Sequence, residues 1–168
     1  NAQSRSIEDK FIKENIPYKV WGSYYFYKRK EIKDLIAYLK LISNPADDVS
    51  LKRIINVPKR KIGEKTVSDL EKIANAENKP IFEVITTGKE LEFKELILDL
   101  IKKSEDMSLT ELIDEVLDKT KLISSLEAEK TLDSDLRIEN LMEFRSVSEN
   151  FENVTGTVNL SDFLSAIS

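Results

Sequence analysis

Apolar positions recur at helical spacing along most of the chain. Ile7, Phe11 and Ile12, with polar residues between them, predict a short amphipathic helix that Pro17 stops. Tyr18, Val20 and Trp21 ahead of Gly22 break that rhythm and read as a strand, one whose sheet partners are missing from this sequence. From Glu31 the helical period returns as Ile32, Leu35, Ile36, Leu39 and Ile42, and Asn44-Pro45 ends it. Asp47 or Asp48 can cap a following helix that carries Leu51, Ile54 and Ile55 and stops at Pro58. After a turn at Gly63, Val67, Leu70, Ile73 and Ala74 mark another helix. Pro80 suits the first turn of a segment bearing Ile81, Phe82, Val84 and Ile85, and a helix over 91–101 follows Gly88. Ser108-Leu109-Thr110-Glu111 is a capping box, which opens a helix with Leu109, Leu112, Ile113, Val116 and Leu117 inward. A long helix over about 134–151 sets Leu141, Phe144, Val147 and Phe151 on one stripe, and Leu160, Phe163, Leu164 and Ile167 form the last. No repeat or low-complexity tract interrupts the pattern.

Composition supports a mainly α fold. The 168 residues suffice for one domain, or one and a fraction, and 40% hydrophobic with 34% charged residues describe a globular chain rich in charge. Four Gly and four Pro are too few for the turns of an all-β sandwich or barrel. The absence of Cys and His removes disulfides, Cys/His zinc sites, the Ser-His-Asp triad and the Cys-His dyad together. No apolar run is long enough to span a bilayer and the opening residues do not resemble a signal peptide, so the expected location is the cytoplasm. A start at Asn1 in mid-pattern suggests a piece of a longer protein.

Charge changes the picture. Residues 28–65 hold eleven cations against five anions, and the remainder fifteen against 26, so a segment of net +6 sits in a chain of net −5. A local basic stripe in an acidic chain is suited to phosphates without indiscriminate adhesion. Taken singly, each of these cations is an ordinary solvated side chain. The octapeptide NVPKRKIG (56–63) is different, because it joins two predicted helices by a tight turn, the outline of a helix-hairpin-helix element. The first amides of the second helix lack intrahelical partners, the helix dipole adds about half a positive charge there, and Gly63 allows close backbone approach. Lys59, Arg60, Lys61 and Lys65 surround that point together with Ile62, and Thr66 offers a hydroxyl. Contacts of this kind bind the sugar-phosphate backbone with little base specificity.

Three stretches carry a family resemblance: NAQSRSIEDKFIKENIPYKVWG, then FYKRKEIKDLIAYLKLISNPADDVSLKRIINVPKRKIG, and later LEAEKTLDSDLRIENLMEF. They resemble the UvrD/PcrA/Rep family of superfamily 1 DNA helicases, closely over 1–76, recognisably over 108–152, and over 77–107 only in length and helical character. The resemblance implies a 3′ to 5′ motor on single-stranded DNA, built from RecA-like subdomains 1A and 2A with helical insertions 1B and 2B. Residues 1–27 would be a remnant of 2A, with helix and strand, and Asn1 to Arg5 the end of helicase motif IV. Residues 28–168 would be the 2B subdomain, an irregular helical bundle. The NVPKRKIG turn matches the family's GIG element, which grips duplex DNA ahead of the fork, except that Lys61 stands at its first Gly. That change removes a close-approach position and adds a cation, two opposite effects on grip that the sequence leaves open.

No phosphate loop and no later motor motif is present, so ATP and magnesium are expected only in the longer parent, and this chain alone is expected to hydrolyse nothing. Glu127, Glu129, Asp133 and Asp135 invite comparison with a two-carboxylate or magnesium site, but on amphipathic helices they read as a solvated face. Asn153-Val154-Thr155 matches a glycosylation acceptor, a coincidence for a cytoplasmic chain. Trp21 and the run Tyr24, Tyr25, Phe26, Tyr27 could stack bases, yet packing between subdomains suits their position better, and Trp21 or Tyr25 is expected to stand exposed. Two functional classes remain. One is a regulatory insertion that contacts a double-stranded/single-stranded DNA junction beside the rest of the motor. The other is a helical module that docks a protein partner through the acidic 90–152 half. Charge reversal at Arg60 and Lys61 is expected to abolish the first and spare the second.

Overall fold

The computed structural model describes residues 25–168. The helix expected at 7–12, the strand at 18–21, Trp21, and the motif IV positions Asn1 and Arg5 lie outside them. The described residues form nine α-helices and no strand, preceded by a 3-10 turn at Phe26–Lys28. Helix α1 (Lys30–Ser43) buries Ile32, Asp34, Leu35, Ala37, Tyr38, Leu39, Leu41 and Ile42. That is more than one stripe, as a helix surrounded by others requires. Helix α2 (Asp48–Ile54) starts where the Asp47 carboxylate accepts the Ser50 amide at 3.0 Å. Helix α3 (Glu64–Glu77) ends at Asn78, in the left-handed conformation. The short α4 (Ile81–Val84) is started from a distance, its Ile81 amide donating to the Asp48 carboxylate at 3.0 Å.

Helix α5 (Gly88–Ser104) leads to α6 (Leu109–Lys119), where Ser108 and Glu111 form the expected capping box. Hydrophobic period did not mark α7 (Leu122–Glu129), because Ser124 and Ser125 favour turns and the apolar stripe is short. The longest helix, α8 (Leu132–Thr155), begins four residues after Ala128 with a second capping box, Thr131 with Ser134. Helix α9 (Leu160–Ile167) is capped by the Asn159 side chain.

Packing converges on α1, which meets α2, α5, α6, α8 and α9, while α8 also lies along α6 and α7. Phe163 of α9 stands edge-on to Phe144 and Phe151 of α8, with ring centroids 5.8 and 5.4 Å apart. The α3–α4 pair joins this body through α2. Its inward strip is narrow: Leu70 and Ala74 are buried, whereas Ile73, expected inward, is exposed. Tyr25 is 70% exposed, as expected of one of the two aromatic residues at the entrance.

Glu152 of α8 caps α6 in addition to its capping box. Its carboxylate accepts the amides of Leu109 (3.2 Å) and Thr110 (2.9 Å) and the Thr110 hydroxyl. Replacing Glu152 with Ala leaves two first-turn amides without an acceptor. The expected loss is about 2 kcal/mol in urea-unfolding free energy, with a smaller loss for Glu152→Gln.

Candidate nucleic-acid interface

The NVPKRKIG turn is built around two side chains that close it from within. Asn56 accepts the amides of Arg60 (2.6 Å) and Ile62 (3.2 Å) through one oxygen, so a single side chain folds six residues into a loop. Ile62 is 2% exposed and pins the far end of the turn to the core. Arg60 is half-buried and turns its guanidinium toward the fold. One of its guanidinium nitrogens donates to the carbonyls of Ile54, Ile55 and Val57 at 3.1, 3.2 and 3.1 Å. The other donates to the Tyr38 hydroxyl and, at 3.4 Å, to the Thr120 carbonyl. The same group lies 5.3 Å from the Phe93 ring centroid and 5.8 Å from that of Tyr38.

This placement corrects the expectation that Arg60 meets phosphate. The carbonyls at the end of α2 lack intrahelical donors and carry the negative end of the helix dipole, so a planar cation with several fixed N–H groups satisfies them where lysine would not. Tyr38 completes the arrangement by donating to the Val57 carbonyl while accepting from Arg60. Burial pushes its hydroxyl pKa up to about 12, with Arg60 opposing the rise. Burial also raises Tyr27, whose hydroxyl has no hydrogen-bond partner, and the Glu143 charge adds to that shift.

With Arg60 inside, its neighbours point out. Lys59 and Lys61 are exposed and have no ion pair among the described residues. Lys65 is exposed over 91% of its side chain, with Asp69 at 3.2 Å. Gly63 is the N-cap of α3 and supplies no capping side chain, and a Cβ added there meets nothing within 4 Å. The protein's own packing therefore does not demand glycine at 63, and the space before the α3 amides is left open. Thr66 sits half-buried in that first turn beside the exposed Glu64, a carboxylate that offsets one of the cations. Lys61 has φ +63, the left-handed region in which glycine is at ease and lysine is not.

Three further cations of the basic segment are committed elsewhere. Asp34, buried on α1, takes Lys30 at 2.7 Å and Arg53 at 2.9 Å, and Lys52 pairs with Glu71 at 2.6 Å. Asn56 and Tyr38, which position the turn, were missed as organising residues. An Asn ahead of a Val-Pro was the available signal for the first, and nothing local marked the second.

A family model described as the UvrD-like helicase C-terminal domain matches residues 1–168. The chain belongs to the UvrD-like helicase family. The ATP-dependent DNA helicase PcrA of Staphylococcus aureus is 44% identical to it over 166 residues, covering 92% of this chain. The PcrA of Staphylococcus epidermidis is 43% identical over the same span. In both cases the match covers 23% of the helicase, so the chain spans under a quarter of these relatives. No helix among the described residues of this UvrD-like chain is long and apolar enough to cross a membrane.

The internal role of Arg60 sets two expectations. Arg60→Ala strips donors from buried carbonyls and should lower unfolding stability by about 3 kcal/mol, whereas Lys61→Gly relieves the left-handed lysine and should raise it by about 1 kcal/mol, both read from urea melts. For Tyr38, the folded pKa near 12 lies above the unfolded value of 10.0, so its contribution is complete below pH 10 and disappears as pH rises toward 12. A Tyr38→Phe chain should lose less stability than the parent across that window.

Proposed function

We propose that this chain is the 2B subdomain of a UvrD/PcrA-type 3′ to 5′ DNA helicase, with residues 1–27 contributed by subdomain 2A and residues 28–168 forming 2B. On this reading Asn1 and Arg5 belong to the motor's motif IV. The subdomain contacts the backbone of duplex DNA ahead of the fork and regulates unwinding during repair or replication in the cytoplasm. One observation supports it above others: the turn between α2 and α3 is fixed from inside by Arg60 and Asn56, leaving Lys59, Lys61, Lys65, Gly63 and Thr66 around uncapped amides. Amides and amines so arranged bind phosphate oxygens without reading bases. The grip is rigid, shape-selective and salt-sensitive.

ATP and magnesium belong to the rest of the longer protein. The 168 residues contain no phosphate loop. The described residues bring together no three side chains that would hold a metal, and Asp133 is engaged by Arg137 at 2.9 Å. No step of ATP hydrolysis is assigned to this chain.

A second reading, docking of a protein partner, draws on a specific feature of the acidic half. Leu132 is 85% exposed and Leu136 58% exposed, one turn apart at the start of α8. Such a pair is an apolar foothold outside the basic turn.

The discriminating experiment leaves Arg60 intact, because reversing it would unfold the turn. The chain is titrated against a fluorescent hairpin duplex with a 3′ single-stranded tail at two salt concentrations, beside a Lys59→Glu/Lys61→Glu variant. Expected is a Kd of roughly 10⁻⁴ to 10⁻⁶ M that weakens with salt, and loss of binding in the variant. Equal binding by both chains, or none by either at low salt, overturns the duplex reading and leaves partner docking through Leu132 and Leu136.

A further inference from the structure

We infer that the turn joining α6 to α7 is a second contact for the same duplex, with Lys121 as its phosphate-binding cation. This rests on the duplex-binding reading and extends it to a surface sixty residues away in sequence. The connection is physical. The Arg60 guanidinium donates to the Thr120 carbonyl at 3.4 Å, one peptide from Lys121, so one arginine side chain separates the two turns. A groove of about 540 Å³ runs from the first turn, at Asn56 to Lys59, to α7, whose Leu122 directly follows Lys121, with Glu31, Asp34 and Glu129 also on its walls. The second turn thus stands beside the first as part of one rigid unit.

Lys121 is exposed and, unlike Lys119, which lies 3.9 Å from Asp118, has no ion pair among the described residues. Its backbone is left-handed, φ +69, matching Lys61 at +63. A lysine in that conformation is strained and, being exposed, returns no packing. Lys59, Lys61 and Lys121 therefore place three uncommitted amines on adjoining turns, against the exposed carboxylates of Glu64, Asp118 and Glu129. Double-stranded DNA carries a charge about every 1.7 Å of its axis, so a duplex seated on the first turn presents phosphates to the second as well.

The test measures binding of the tailed duplex across a salt series for the parent, Lys59→Glu/Lys61→Glu and Lys121→Asn chains. Asn tolerates the left-handed backbone, and Lys121→Gly repeats the measurement should the Asn chain melt lower. Loss of one phosphate contact should flatten the slope of log K on log salt by about 0.9, and weaken binding roughly eightfold at 0.1 M salt. Loss of binding in the first variant with an unchanged slope for Lys121→Asn overturns this inference and keeps the duplex reading. Unchanged binding in both variants overturns the two together.

Discussion

The Arg60 guanidinium holds the candidate interface together. It satisfies three carbonyls at the end of α2, meets Tyr38 of α1, and reaches the Thr120 carbonyl between α6 and α7. The Ile54 carbonyl also takes the Val57 amide and the Val57 carbonyl the Tyr38 hydroxyl, so it is the Ile55 carbonyl that depends most on Arg60 to offset its desolvation cost. A charged donor with a rigid fork meets all of them from one point. The consequence for the surface is direct. A chain that turns one side chain inward presents its neighbours outward, so the inward turn of the half-buried Arg60 sets Lys59 and Lys61 toward solvent, while Ile62 anchors the return into α3.

A division of labour follows across the basic segment. Positive charge that looks uniform in sequence separates into cations that serve acceptors of the fold and cations that do not. Lys30 and Arg53 neutralise Asp34, which α1 buries, and Arg60 serves carbonyls. Lys59, Lys61 and Lys65 remain around α3's open first turn. Arg60 gives the hairpin a fixed shape, so that Lys59 and Lys61 face a ligand without first losing backbone freedom on binding. That order suits recognition of a regular polyanion, whose phosphate positions are themselves fixed.

Most of the scaffold was legible in the sequence, because it depends on local rules. The period of Ile32 to Ile42, the stop at Asn44-Pro45, the Asp47 cap and the Ser108 box act within a few residues, and the structure contains each. What escaped depends on distant partners. Arg60 looked like a surface cation because Arg normally is one, and its acceptor at Thr120 is sixty positions away. Nothing near Glu152 in sequence marks it as a cap, since the helix it caps begins 43 residues earlier. Helix α7 has too short a stripe to announce itself, and its burial is supplied by α6 and α8. The left-handed positions were hidden for a different reason: lysine is not the residue that signals them.

Lys61 joins these strands, since the sequence resemblance sets it against a glycine. Two opposite consequences followed from its identity alone, a loss of close approach and a gain of charge. The backbone answers part of that question. With φ at +63 the residue keeps the conformation that glycine adopts freely, held there by Asn56 on the Ile62 amide and by Arg60 next to it. The left-handed lysine is strained, and the strain is borne by interactions inside the fold. What differs from glycine is a side chain added at the surface, one that is exposed and ends in an uncommitted amine. Gly63, where a Cβ would stand before the α3 amides, is retained. The backbone before the α3 amides thus carries no side chain at Gly63, and the Lys61 cation stands exposed two residues earlier in the same turn.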